Sequence, residues 1–297
     1  MSSETVSRAI EKLVAVHKGG APIANLGDAA PGNEAEIFAI QRGVLKALGG
    51  SIGGWKCATP PGKPSNFGIM AAAGARQSGG RWGVATTRPV GLETEVAFRL
   101  KRDLPPRGSA YSREEVLDAI EAAFPLLELV QSRYADHKIV APAEGMADNI
   151  AHLGYVVGAD VADWRGYDLP NLAVQQSYAG ALQVDQKGGN PSGDPVLPLV
   201  WLANHLHGLG EHLRAGQVVT TGTYTGCIFV PPGQRVQAGF AGLVRLFSIL
   251  ADAIYNLSLL ATPNSPASLV KTSIVLSSIS MPLARRSASR MASSSPG

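Results

Sequence analysis

The chain has 297 residues, of which 45% are hydrophobic and only 16% charged: long enough for a substantial core, and unlike a coiled coil or a disordered acidic chain. Its formal net charge of +3 comes wholly from Ile249 onward, where Lys271, Arg285, Arg286 and Arg290 face one acid, Asp252, so residues 1–248 carry no electrostatic footprint for nucleic acid or an anionic membrane. Two cysteines, Cys57 and Cys227, make neither a disulfide framework nor a zinc spacing, so a reducing, cytoplasmic setting is expected.

The opening stretch MSSETVSRAIEKLVAVHKGG mixes charged and apolar residues at helical spacing, unlike a signal peptide. Val6, Ile10, Leu13 and Val14 predict a helix over 4–17, ended by Gly19-Gly20, and Ile37, Ile40, Gln41, Val44 and Leu48 predict a second over 34–48. Turn formers around Ile52 and Trp55 read as a short strand delivering Lys56 into a loop, and AAAGARQSGGRW at 71–82 reads as a flexible or lid-like connection. From Pro89 the pattern changes to a strand, VGLETEVAFRL, closed by Asp103-Leu104-Pro105-Pro106. Ser112 and Glu115 form a capping box for a helix carrying Val116, Leu117, Ile120 and Ala123, which Pro125 ends before a strand in LLELVQSRY. Further strands are expected at 155–157, 172–174, 218–221 and 228–230, and one more helix over 198–213. Strands outnumber helices after residue 89, which predicts an α+β body with a largely antiparallel, rolled sheet. The last 49 residues include twelve serines, and the uncharged run 253–270 contains Pro263 and Pro266, so it is no membrane span.

The most informative segment is Glu93-Thr94-Glu95. On a strand, residues two apart share a face, so two carboxylates aim at one region about 7 Å apart. Such a pair fits a solvated strand edge or a cation between the acids. Glu128, which interrupts the apolar run Leu126, Leu127, Leu129 and Val130, is a costly place for an unpaired charge. Three convergent carboxylates describe a hard-cation site for Mg²⁺ or Mn²⁺.

GLETEVAFRLKRDLP, PLLELVQSRY, the MADN run at 146–149, LVWLAN at 199–204, AGQVVTTGTYTG at 215–226 and the upstream AIQRGVLKALGGSIGGWKC together resemble the fumarylacetoacetate hydrolase superfamily, within it the 2-keto-4-pentenoate hydratase and 4-oxalocrotonate decarboxylase branch. The resemblance spans about residues 5–247 in collinear order. It implies a mixed β-roll with a smaller α/β N-terminal part, and so a division into a helical and α/β part at 1–85, a catalytic domain at 86–248 and a Ser-rich tail at 249–297 outside the core. It implies Glu93, Glu95 and Glu128 as metal ligands, and Lys56, in Gly54-Trp55-Lys56, as the lysine of the branch's Gly-Trp/Tyr-Lys motif. Burial beside Trp55 and a nearby cation would lower that lysine's pKa. Gly222-Thr223-Tyr224-Thr225-Gly226 resembles the Gly-Thr-x-x-Gly turn, where Gly222, Thr223 and Thr225 would offer N–H and hydroxyl groups to a substrate carboxylate.

Two departures stand out. Ser65-Asn66-Phe67-Gly68 replaces a common Pro-Asp-Phe/Tyr-Gly, so Asn66 offers an amide in place of a base. Ile150-Ala151-His152 follows Asn149 where a Ser or Thr cluster is usual, so His152 is a candidate proton-transferring group beside its alternative as a structural or solvent-facing histidine. The superfamily's carbon–carbon hydrolases use a Glu and His pair on an N-terminal lid; no His lies between Ala24 and Lys46, leaving Glu34 and Glu36 without that partner. His205, His207 and His212 lack a spacing of four, so core or surface roles are expected. The implied activity is hydration of a short 2-hydroxydienoate or 2-oxo-enoate in aromatic catabolism, with decarboxylation of a 2-oxo-3-enedioate as the alternative. The expected partners are a small 2-oxo acid, further copies in a homo-oligomer, and a paired decarboxylase or hydratase, which an inactive structural homologue would also bind.

Overall fold

Apolar periodicity and capping place the first two helices where the sequence puts them. α1 spans Ser3–His17, and α2, Glu34–Ala47, begins at Asn33, whose side chain accepts a hydrogen bond from Glu36 N. Their facing sides bury Ala9, Leu13, Ile40 and Val44 against Tyr134 and Ala147. The computed structural model describes residues 3–79, 81–84, 88–231, 233–241 and 247–253.

The remaining elements follow in chain order: β1 (Ile52–Ala58), β2 (Asn66–Ala71), β3 (Ala75–Gln77), β4 (Arg81–Val84), β5 (Val90–Leu100), α3 (Arg113–Leu117), β6 (Ile120–Val130), α4 (Pro142–Ala147), β7 (His152–Val157), β8 (Ala173–Tyr178), β9 (Ala181–Lys187), α5 (Val196–His205), β10 (Val218–Thr223), β11 (Ile228–Val230), β12 (Arg235–Phe240) and β13 (Phe247–Ala253). An eight-stranded sheet runs β2-β1-β10-β5-β6-β7-β3, with β11 also on β5, and a five-stranded sheet runs β4-β13-β12-β8-β9. Both sheets are mixed: β1 and β10, β3 and β7, and β4 and β13 pair parallel, and the other pairs are antiparallel. Among the described residues no helix is long and apolar enough to cross a membrane.

Alternation along β5 separates two environments. Val96 and Phe98 enter a large core with Trp55, Phe67, Leu199 and Val219, while Ala97 joins Phe124, Leu126 and Tyr155 on the opposite face. Glu93 and Glu95 share the parity of Ala97, so the fold turns both acids to that second face.

Several expectations are corrected. Lys56 is not delivered into a loop; it sits mid-strand in β1, paired with Gly68 and Thr220. The stretch expected to be a flexible connection contains β3, paired with β7, and β4, paired with β13. The capping box at Ser112 and Glu115 exists, yet its helix ends at Leu117 and Ile120 already belongs to β6. β6 lies between β5 and β7 and is buried along nearly its whole length, so sheet pairing overrides a helical reading of Ile120 and Ala123. Pro125 lies inside this strand, its carbonyl accepting from Gly158 N at 2.8 Å. α5 stops at His205; Gly210 adopts a φ of 71° and Leu213 bridges to Leu104. β1 and β2 lie in the same sheet as β5 and β6, and β13 ends the described part of the chain at Ala253. Residues 254–297, the rest of the expected tail, lie outside the described residues.

Candidate metal centre

Strand register assembles the acids. Glu93 lies directly opposite Glu128 across β5 and β6, and Glu95 is two residues along on the same face. One carboxylate oxygen from each of Glu93, Glu95 and Glu128 lies within 4.8 Å of the others. Glu128 is 0% exposed and Glu95 2%, so the solvated strand edge is excluded.

The cations and dipoles around the acids come from three strands and the turn before β7. Lys56 Nζ on β1 donates to Glu128 Oε1 at 2.6 Å and to Ile150 O at 3.2 Å. His152 Nδ1, at the start of β7, lies 2.8 Å from the same Glu128 oxygen. Glu95 Oε2 accepts from Thr220 Oγ1 and from Gly222 N on β10. Glu128 Oε2 is buried and has no hydrogen-bond partner among the described residues. An orphaned carboxylate oxygen inside an all-oxygen acidic donor set fits a hard divalent cation such as Mg²⁺ or Mn²⁺.

Burial and mutual repulsion divide the protons among these groups. Burial pushes Glu93 up to about 7, with Lys56 opposing and Glu128 reinforcing the rise. Glu95 rises to about 8 for the same first reason, reinforced by Glu128 and Glu93. For Glu128, burial acts upward, but the Lys56 charge and the His152 hydrogen bond outweigh it, so its pKa falls. Burial acts downward on Lys56, yet the charges of Glu128, Glu93 and Glu95 prevail and raise its pKa. The acids acting alone therefore raise the Lys56 pKa, where burial and a cation would lower it. His152 is lowered by burial, only partly offset by Glu128, and so is neutral at pH 7. An ionised Glu128 only accepts, which assigns the His152 proton to Nδ1 and leaves the lone pair on Nε2. That Nε2 is buried without a partner among the described residues.

The other candidates are distributed differently. Asn66 pairs with Ala58 and so shares the Lys56 face, two residues farther along; its side chain makes no hydrogen bond among the described residues. The Gly222 N–H donates to Glu95 Oε2, and its φ of 104° and the packing of Pro191 against the site of a Cβ require glycine. Thr223 lies opposite Glu95, and its hydroxyl donates to Gly226 O. The Thr225 hydroxyl accepts from Thr94 N and donates to Gly226 O. Glu34 does have a histidine partner: His205 Nε2 lies 2.8 Å from its Oε1. That pair is 171 positions apart in sequence, beyond any local pattern. His205 stacks on Trp201 and contacts Phe67, whose side chain lies on the opposite face of β2 from the acids, beside a surface cavity of about 530 Å³ along α5. His207 meets Leu104 O and His212 approaches Asp103, as structural and surface roles require. Sequence reasoning assigned no role to Arg133 and Asp148, a buried pair that grips the backbone on either side of residues 149–151, although both lie in the PLLELVQSRY and MADN stretches that carry the resemblance.

No protein-family model matches the chain. The 2-hydroxyhexa-2,4-dienoate hydratase of Comamonas testosteroni is 34% identical over 151 residues, 51% of this chain and 56% of that protein. The 2-keto-4-pentenoate hydratase of Burkholderia vietnamiensis is 28% identical over 244 residues, 78% of this chain and 92% of that protein. Over about half of its length the chain is similar to curated 2-keto-4-pentenoate hydratases and 4-oxalocrotonate decarboxylases. It spans little more than half the length of several of the curated relatives it matches. The fold is shared with the 4-oxalocrotonate decarboxylase of Pseudomonas putida G7, solved with magnesium and adipate: the TM-score is 0.74 at 23% identity, covering 84% of this chain and 98% of that one.

Proposed function

We propose that this chain is a divalent-cation-dependent lyase of short 2-oxo acids, acting as a hydratase of a 2-hydroxydienoate. The observation that carries the reading is the convergence of Lys56 and His152 on one oxygen of Glu128, with Glu128 Oε2 and His152 Nε2 left over. Glu93, Glu95 and Glu128 would hold Mg²⁺ or Mn²⁺, which when bound supplies Lewis-acid stabilisation of negative charge on the keto oxygen of a chelating 2-oxo acid.

The chain's own groups account for the protons. Lys56, kept cationic by three carboxylates, is the acid. The Nε2 lone pair of neutral His152 is the base that takes a proton from water. For 2-hydroxypenta-2,4-dienoate, the O2 proton is lost and a proton is gained at C5, giving the 2-oxo-3-enoate. Water then adds its hydroxyl at C4 while a proton arrives at C3, giving 4-hydroxy-2-oxopentanoate. Asn66 would hydrogen-bond the substrate without acting as a base, and Thr223 and Thr225 would orient its carboxylate from the turn after β10. A cytoplasmic homo-oligomer belongs to the same reading.

The second reading is decarboxylation of a 2-oxo-3-enedioate. It is favoured by the likeness to the solved decarboxylase, and loss of CO₂ develops charge on the same keto oxygen. The full chain with Mn²⁺ tests both. Ultraviolet loss of the dienol with no CO₂ supports hydration, and CO₂ release from the enedioate supports decarboxylation. Failure of both reactions, with no Mn²⁺ bound, overturns the lyase reading and leaves the structural homologue.

A further inference from the structure

Between α4 and β7 the backbone does something costly. Asn149, Ile150 and Ala151 take φ values of 50°, 51° and 62°, three consecutive left-handed residues of which none is glycine and one is β-branched. Such a run persists only where its surroundings over-determine it. The surroundings are supplied by Arg133, which is 4% exposed. Its Nη2 donates to Asp148 O at 2.7 Å and its Nη1 to His152 O at 2.9 Å, so one planar guanidinium spans the run from the residue before it to the residue after it. Asp148 holds the guanidinium in turn: Oδ1 takes Arg133 Nε, and Oδ2 takes Arg133 N at 3.0 Å and Ser132 Oγ at 3.1 Å.

What the run delivers is the far side of the acid cluster. Ile150 O accepts from Lys56, His152 Nδ1 meets Glu128, and Asn149 Oδ1 accepts from Ile69 N on β2. The side-chain hydrogen bonds of Arg133 go to Asp148 and to His152 O, and none to the three acids.

We propose that Arg133, locked by Asp148, is a positioning residue: it holds residues 149–151 left-handed and thereby sets His152 and the Ile150 carbonyl against Glu128 and Lys56. The proposal rests on the proton-transfer reading of His152 and Lys56, but its first readout needs no turnover. In the metal-free full chain with ¹⁵N-labelled histidine rings, the His152 signals are assigned by their loss in His152→Gln. Arg133→Gln should move them to the positions of an imidazole without a carboxylate partner, while Mn²⁺ affinity stays within about threefold and kcat falls about tenfold or more. The double variant Arg133→Gln/His152→Gln should be no slower than the slower single variant. Adding Ala151→Gly to Arg133→Gln should recover part of the loss, because glycine adopts a positive φ without the Cβ penalty. Unmoved His152 signals in Arg133→Gln, or losses that multiply in the double variant, overturn the proposal. Should Arg133→Gln fail to fold, Arg133→Lys is read by the same outcomes, since a single ammonium cannot bridge both carbonyls. Moved signals in an enzyme that turns over neither 2-oxo acid would sink the lyase reading and leave the clamp standing.

Discussion

Glu93 and Glu128 face each other directly across β5 and β6, an arrangement that in a sheet is destabilising for like charges. With Glu95 adjacent, the trio needs a cation or extra protons. Replacing Glu93 by Gln should therefore leave the metal-free protein as stable as the parent or more so, while abolishing stabilisation by Mg²⁺ or Mn²⁺. In the parent that stabilisation should reach about 2.7 kcal/mol at a cation concentration a hundredfold above Kd. Calorimetry with and without the cation reads both quantities, and undiminished stabilisation in Glu93→Gln would remove this acid from the site.

Glu93 and Glu95 hold their protons in the folded chain up to about 7 and about 8, against an ordinary value of 4.5. A raised carboxyl pKa means the folded state binds more protons than the unfolded one, so stability falls as pH rises toward the folded values. Below about 6.5 the lowered pKa of His152 works in the opposite direction, because there the unfolded state takes up its proton first. The clean window is therefore pH 6.5 to 8. Across it the metal-free chain should lose thermal stability, and a saturating divalent cation should flatten the loss. A Tm that rises over this window without metal would contradict the assignment.

Lys56 and His152 are the proton-transfer pair, and groups of this kind contribute about 10²- to 10⁴-fold. Lys56→Met and His152→Gln should each lower kcat by amounts in that range. Their effects on the cation should differ. Removing an ammonium 2.6 Å from Glu128 should tighten Mn²⁺ binding, whereas exchanging the neutral His152 for Gln should leave it nearly unchanged. Titration calorimetry beside steady-state kinetics separates the two, and weaker Mn²⁺ binding in Lys56→Met would refute the charge argument.

Gly54 precedes Lys56 by two residues on the same face of β1, and a Cβ there would lie 2.2 Å from Val218 O and 3.2 Å from Met70 Cε. Gly54→Ala should therefore push β1 away from β10, costing about 1–3 kcal/mol or more, and carry Lys56 off Glu128. The expected outcome is a lower denaturation midpoint together with lower kcat. Parent-like behaviour in both would show that the strand yields without disturbing the site.

The sequence by itself determined the features that depend on near neighbours along the chain. The apolar spacing of α1 and α2, the Ser112 cap, the shared face of Glu93 and Glu95, and the anomaly of Glu128 in an apolar run all act within a few residues, where helical turns and strand alternation set the geometry. Only the tertiary structure decided which distant residues meet. The extent of β6 against the helical start at Ser112, the bond between Lys56 and Glu128 across 72 positions, the pairing of Glu34 with His205 and the grip of Arg133 on the 149–151 run all follow from strand register and packing. The direction of the Lys56 shift belongs to the same group: a pKa is set by every charge within reach in space, and three of those charges sit on strands that the local pattern around Trp55 does not reveal.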